Sequence, residues 1–94
     1  LIGLASRVRL APKARLRYDE RTGKHVLLYP ERGLELSDSA ARITTLLAEE
    51  RPVSGIVDAL VGAAALAPRA TIETDVLGFL RQLEERGLLL VSDA

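Results

Sequence analysis

At Ser37 the hydropathy period of the chain changes from two residues to 3.6. No other feature constrains the fold as much, because strands before the switch and helices after it must bury their apolar faces in one core. Upstream, Ala14-Arg15-Leu16-Arg17-Tyr18 alternates, which predicts Leu16 and Tyr18 toward the core and Arg15 and Arg17 toward solvent. His25-Val26-Leu27-Leu28-Tyr29 is more apolar, as a middle strand should be, and the intervening segment with Gly23 is a hairpin loop. Pro30-Glu31-Arg32-Gly33 reads as a turn, and Leu34-Glu35-Leu36 as a very short third strand at a sheet edge. Residues 1–13 read as an N-terminal arm, since Pro12 interrupts any strand there, and residues 14–91 as the folded domain.

Downstream, Ser37 or Asp38 can cap a first helix that carries Ala40, Ile43, Leu46 and Leu47 on one face and reaches about Glu49. Glu50-Arg51-Pro52 breaks it, and Pro52 suits the first turn of a second helix with Ile56, Val57, Leu60 and Val61 on its stripe. Ala63-Ala64-Ala65 and then Ala67-Pro68 end that helix. Thr71 is the expected cap of a third, whose Ile72, Val76, Phe79, Leu80 and Leu83 share a face, and Gly87 is its natural stop. Leu88-Leu89-Leu90-Val91 is too apolar for a free tail and is expected to pack back on the domain or on a partner. The predicted fold is α+β and winged-helix-like: a three-stranded antiparallel sheet followed by a three-helix bundle.

Composition removes most chemistries. The 94 residues contain no Cys, which excludes a disulfide, a thiol nucleophile, a Cys-ligated zinc and an iron–sulfur cluster on this chain. His25 is the only imidazole, so multi-His metal sites are excluded, and no motif supplies it with a nucleophile and an orienting acid. Glu49-Glu50 and Glu84-Glu85 are neighbours on helices, about 100° apart, and do not converge on a substrate. The glycines are scattered and form no phosphate-binding loop. The expectation is a protein that is not an enzyme and has no cofactor. No apolar run approaches the ~20 residues of a membrane span, and the first residues lack the basic segment of a signal peptide, so the cytoplasm is the expected location.

Charge narrows the partners. Thirteen basic residues balance thirteen acidic ones, so no global field points to nucleic acid or membrane. The balance is uneven, with eight basic against three acidic side chains in residues 1–32 and five against ten in the remainder. A winged helix that reads DNA would place its third helix in the groove. Here that helix carries Glu73, Asp75, Glu84 and Glu85 against Arg81 and Arg86, which phosphate would repel. A nucleic-acid-binding or an oligomerisation module remains the alternative reading, and the chain is expected to be a monomer or a homodimer.

The short third strand leaves unpaired N–H and C=O groups on its outer side. Such an edge either is kept short to avoid aggregation or accepts an extended peptide as an added strand. Physics alone favours the first. The stretch Leu27-Leu28-Tyr29-Pro30-Glu31-Arg32-Gly33-Leu34-Glu35-Leu36-Ser37-Asp38-Ser39-Ala40-Ala41-Arg42-Ile43 shifts the weight, because it resembles the signature of the PqqD family. Leu10-Ala11-Pro12 and Arg15-Leu16-Arg17-Tyr18-Asp19 resemble that family's opening. Pro52 to Val57, Asp75 to Leu80 and Leu83 to Gly87 resemble its helical half, so the resemblance spans residues 8–90. It departs where Ser37 or Asp38 begins the first helix, a place where the family usually has Asn, a change that preserves capping.

The resemblance implies a peptide chaperone of pyrroloquinoline quinone biosynthesis and a RiPP recognition element. Such proteins bind the precursor peptide PqqA and present it to PqqE, a radical S-adenosylmethionine enzyme. In related elements the leader peptide adds a strand beside the third strand and packs against the third helix. Carried onto this chain, Leu34, Glu35, Leu36 and Ser37 would offer the edge, and Val76, Phe79, Leu80 and Leu83 the apolar wall. Leu36→Pro is then expected to abolish binding, provided that the Leu36 N–H points outward.

Overall fold

The computed structural model describes residues 2–30, 32–62 and 67–93. Its elements run β1 (Ser6–Leu10), β2 (Arg15–Asp19), β3 (Lys24–Tyr29), β4 (Arg32–Leu36), α1 (Asp38–Leu46), β5 (Arg51–Pro52), α2 (Val53–Gly62), α3 (Arg69–Glu85) and β6 (Leu89–Asp93). The fold is mixed α+β with three helices. Its strands form two antiparallel sheets of order β5-β1-β6 and β2-β3-β4.

The second of these is the sheet expected from the alternation, with β3 in the middle and β4 at an edge. However, β4 is longer than the three residues expected: it starts at Arg32, inside the segment read as a turn, because Arg32 and Gly33 already pair with Tyr29 and Leu28. Side chains paired across an antiparallel sheet lie on the same face. The register therefore aligns Leu16, Leu27 and Leu34 in one row, and Tyr18, His25 and Leu36 in the next. Leu27 is fully buried and Leu36 nearly so, while Leu16 and Leu34 are half-buried against the core. This face is the inner one, covered by α1 through Ala41, Ile43 and Leu47. Tyr18 differs from expectation: it is 57% exposed, and its ring stands edge-on to His25 at 5.1 Å and 61°.

The sheet β5-β1-β6 corrects the reading of residues 1–13 as an arm. Ser6–Leu10 is its central strand, paired with β6 from Ser6↔Asp93 to Leu10↔Leu89 and with β5 at Arg7↔Pro52 and Val8↔Arg51. Val8 is fully buried there. Pro12 lies beyond the strand, so it interrupts nothing. The apolar segment after α3 packs back as β6, with Leu88 and Leu89 buried and Leu90 exposed. Backbone hydrogen bonds tie β1 and the segments flanking it to their surroundings: Leu10 donates to Leu47, just after α1, at 2.9 Å, Ala11 to Leu88, just before β6, at 2.8 Å, and Ser54 of α2 to Leu4 at 3.0 Å. One continuous core results, running from Ile2 and Val8 through Leu27 to Val76, Leu80 and Leu83.

The helix ends follow local chemistry. Ser37 is the N-cap of α1, its hydroxyl accepting from the Ala40 N–H at 3.2 Å, and Asp38 in the first turn complements the helix dipole. Ser37→Ala should cost about 1 kcal/mol. In a domain of this size that lowers the thermal midpoint by about 4–8 °C, which differential scanning fluorimetry would read. The α1 helix ends at Leu46 rather than near Glu49. The expected end of α2 at Ala63-Ala64-Ala65 lies outside the described residues. Thr71 does not cap α3: the helix starts at Arg69, directly after Pro68, and Thr71 already donates its N–H back to the Pro68 carbonyl. At the other end Gly87 takes a left-handed φ of 73°. Its N–H bonds to Glu84 O at 3.0 Å and the Leu88 N–H to Leu83 O at 2.9 Å, the paired bonds of a Schellman stop. Leu83 and Leu88, the apolar pair that accompanies this motif, are both fully buried.

Candidate functional site

With β2, β4 is one of the two edge strands of the β2-β3-β4 sheet. Tyr29 pairs with Arg32 across a connection of two residues. In so short a hairpin the closing pair must exchange both backbone hydrogen bonds. Antiparallel pairs alternate between bonded and non-bonded, so Leu27/Leu34 and His25/Leu36 are also bonded pairs. The N–H and C=O groups of Arg32, Leu34 and Leu36 are thus used by β3. Those of Gly33 and Glu35 point away from the sheet, where no further strand lies among the described residues. This corrects the expected effect of Leu36→Pro as a probe of the edge: the Leu36 N–H faces β3, and the outward donors belong to Gly33 and Glu35.

The other expected site residues divide by burial. Leu34 is half-buried and Glu35 is exposed, whereas Leu36 is 5% exposed and belongs to the core. Ser37 is exposed, but its hydroxyl already caps α1 and lies 3.3 Å from that of Ser39. On α3, Val76, Leu80 and Leu83 are fully buried and form the floor of the domain. Phe79 is half-buried against the same cluster, so it alone of the four keeps surface for a ligand. The end of α3 is tied to the hairpin that carries β4, because the Arg86 guanidinium donates to the Tyr29 hydroxyl at 3.2 Å. No sequence pattern announced that link, whose partners are far apart in the chain. The start of α3 is pinned to α2 by Arg69, which meets Asp58 at 2.6 Å and Glu73 at 3.2 Å. The hydrogen bond to Asp58, more than any other contact, holds the Arg69 guanidinium above its usual pKa.

Elsewhere the surface offers little chemistry. A shallow groove of about 280 Å³ between α1 and α2 is lined by Arg42, Thr45, Leu46, Ala59 and Leu60. His25 and Asp38 line another of about 290 Å³, with Ala41, Arg42 and Thr45. Neither brings a nucleophile together with a base and an orienting acid. Among the described residues no group of three or more His, Asp or Glu side chains is placed to hold a metal ion. No helix among them is long and apolar enough to cross a membrane.

Antiparallel sheets combined with three helices also make up solved RiPP recognition elements. The PqqD truncation of Methylobacterium extorquens PqqCD, a functional stand-alone RiPP recognition element, superimposes with a TM-score of 0.80 at 36% identity, over 96% of this chain and 95% of that one. TbiB1, solved in complex with the TbiA(beta) leader peptide, matches with a TM-score of 0.73 at 28% identity, over 86% of this chain and 93% of that one. The family model for coenzyme PQQ synthesis protein D matches residues 24–89, and the chain belongs to the PqqD family. A PqqA binding protein of Rhodopseudomonas palustris is 42% identical over 85 residues, which is 90% of this chain and 82% of that protein. The bifunctional coenzyme PQQ synthesis protein C/D of Methylorubrum extorquens is 41% identical over 81 residues, or 86% of this chain but 22% of that much longer protein.

Proposed function

We propose that this protein is a non-catalytic carrier that binds the PqqA precursor peptide in pyrroloquinoline quinone biosynthesis and presents it to the radical S-adenosylmethionine enzyme PqqE. The observation that carries the reading is the free β4 edge, with the backbone groups of Gly33 and Glu35 turned outward. Relatives of about 40% identity that are PqqA binding proteins support the choice of peptide. In this reading the peptide forms a fourth strand on the β2-β3-β4 sheet. Main-chain hydrogen bonds supply affinity, and Leu34 and Phe79 receive its inward side chains. Ordering a disordered peptide costs several kcal/mol, which those bonds and contacts must offset. Docking the loaded carrier on the enzyme then turns the encounter of peptide and active site into a nearly intramolecular one.

Titrating labelled protein with synthetic PqqA, followed by backbone amide NMR, tests this. Saturable shifts should cluster on Gly33, Glu35 and the exposed side of α3 around Phe79. Shifts confined to the groove between Leu46 and Leu60, or none with PqqE present, would defeat the proposal.

A further inference from the structure

An added strand has two faces, and its side chains alternate between them. The inward ones lie on the face that α1 covers. The outward ones must land on the far face of the sheet. The register fixes what they would find there, because each cross-strand row is continued by the residue added beside β4. One outer row runs Arg15, Leu28, Gly33, and the other runs Arg17, Val26, Glu35.

The first of these rows is unusual for a solvated face. Leu28 is 42% exposed, with the charged Arg15 as its neighbour on β2. Gly33, its neighbour on β4, contributes no side chain. The backbone of Gly33 does not require glycine, since the residues with left-handed φ are Gly23 and Gly87. What glycine provides is space: a Cβ at position 33 would lie 3.3 Å from both Leu28 Cδ2 and Val26 Cγ1. Those side chains reach over the glycine toward the open edge. A residue added opposite Gly33 would therefore face the flank of Leu28 across it, its backbone two strand spacings, or about 9.6 Å, from that of Leu28. Two residues along, the next outward residue would meet Glu35, whose exposed carboxylate is 3.3 Å from Lys24 Nζ.

We infer that the outer face carries a second peptide subsite, opened by Gly33 and floored by Leu28, which takes an apolar side chain of the added strand. A second outward position, two residues away, lies beside Glu35 and takes a basic or hydrogen-bonding side chain. The inference rests on the carrier reading and deepens it, for it makes the strand gripped on both faces and specifies the spacing of the residues it selects.

The test compares Leu28→Ala and Gly33→Ala with the parent protein in calorimetric titrations with synthetic PqqA, with amide NMR alongside. Leu28 is too exposed for its truncation to unfold the domain, so thermal midpoints should stay close to the parent's. Leu28→Ala should weaken binding about fivefold to tenfold, as expected for losing part of a leucine's burial. Gly33→Ala should weaken it comparably by filling the gap. In an alanine scan of the peptide, one apolar position should matter in the parent and cease to matter in Leu28→Ala, the signature of direct contact. Parent-like affinity for both variants, with the Gly33 and Glu35 amides still shifting, overturns the second subsite and leaves the carrier reading intact. Absence of shifts at those amides overturns both.

Discussion

Glu35→Pro should remove peptide binding while leaving the fold in place. The substitution deletes an outward N–H and puts the ring carbons where the incoming strand must approach. Proline is tolerated on an edge strand whose N–H faces away from its neighbour, and the Glu35 N–H has no partner on β3. Losing one intermolecular hydrogen bond and stranding its carbonyl partner amounts to about 2–3 kcal/mol, or about a hundredfold in affinity. Leu36→Pro is the necessary contrast. It breaks a bonded pair with His25 at a position only 5% exposed, so it should lose peptide binding by losing the fold. Isothermal titration with PqqA, paired with chemical denaturation of each variant, separates the two. A stable Glu35→Pro protein that binds PqqA normally would end the strand-addition account.

The second large effect is expected from deleting residues 1–10. That deletion takes away the central strand of the β5-β1-β6 sheet. It also removes Ile2 and Val8 from the core, at about 1.5–3 kcal/mol each by their burial alone. Leu88 and Leu89 lose their cover, and the backbone groups of β6 lose every partner in the sheet. Against a total stability of about 5–15 kcal/mol, the sum should abolish cooperative unfolding at 25 °C. Circular dichroism with denaturant reads this directly. A truncated protein with the parent's midpoint would mean that the segment is a dispensable arm after all.

What was legible in the sequence was local. The alternation of Arg15 to Tyr18, the apolar middle strand and the Ser37 switch each depend on neighbours a few residues apart, and the β2-β3-β4 sheet and three helices stand where those patterns put them except at the start of β4, the end of α1 and the start of α3. What escaped depends on distance along the chain. Ser6–Leu10 alternates weakly, and its partner is β6 at the other end, so neither segment carries a signal that it is a strand of a shared sheet. Arg51–Pro52, with two residues, is too short to show a period at all. The position of the edge was legible, but the direction of its N–H groups was not. That depends on whether Tyr29 and Arg32 form a bonded pair, and a shift of one residue would exchange Leu36 for Glu35. On α3 the stripe was right as a core stripe. Periodicity could not say that Phe79 alone, among Val76, Phe79, Leu80 and Leu83, keeps a free surface.

Because Ser6 pairs with Asp93 and Arg7 with Ser92, the start of β1 lies beside the end of β6. A host protein could therefore carry it on a single short stalk, spliced into a surface loop or appended at a terminus, with no need to route its own chain around the module. In the bifunctional coenzyme PQQ synthesis protein C/D the matching region makes up 22% of the protein. The edge at β4 belongs to the other sheet, so tethering at that spot would leave that edge uncovered.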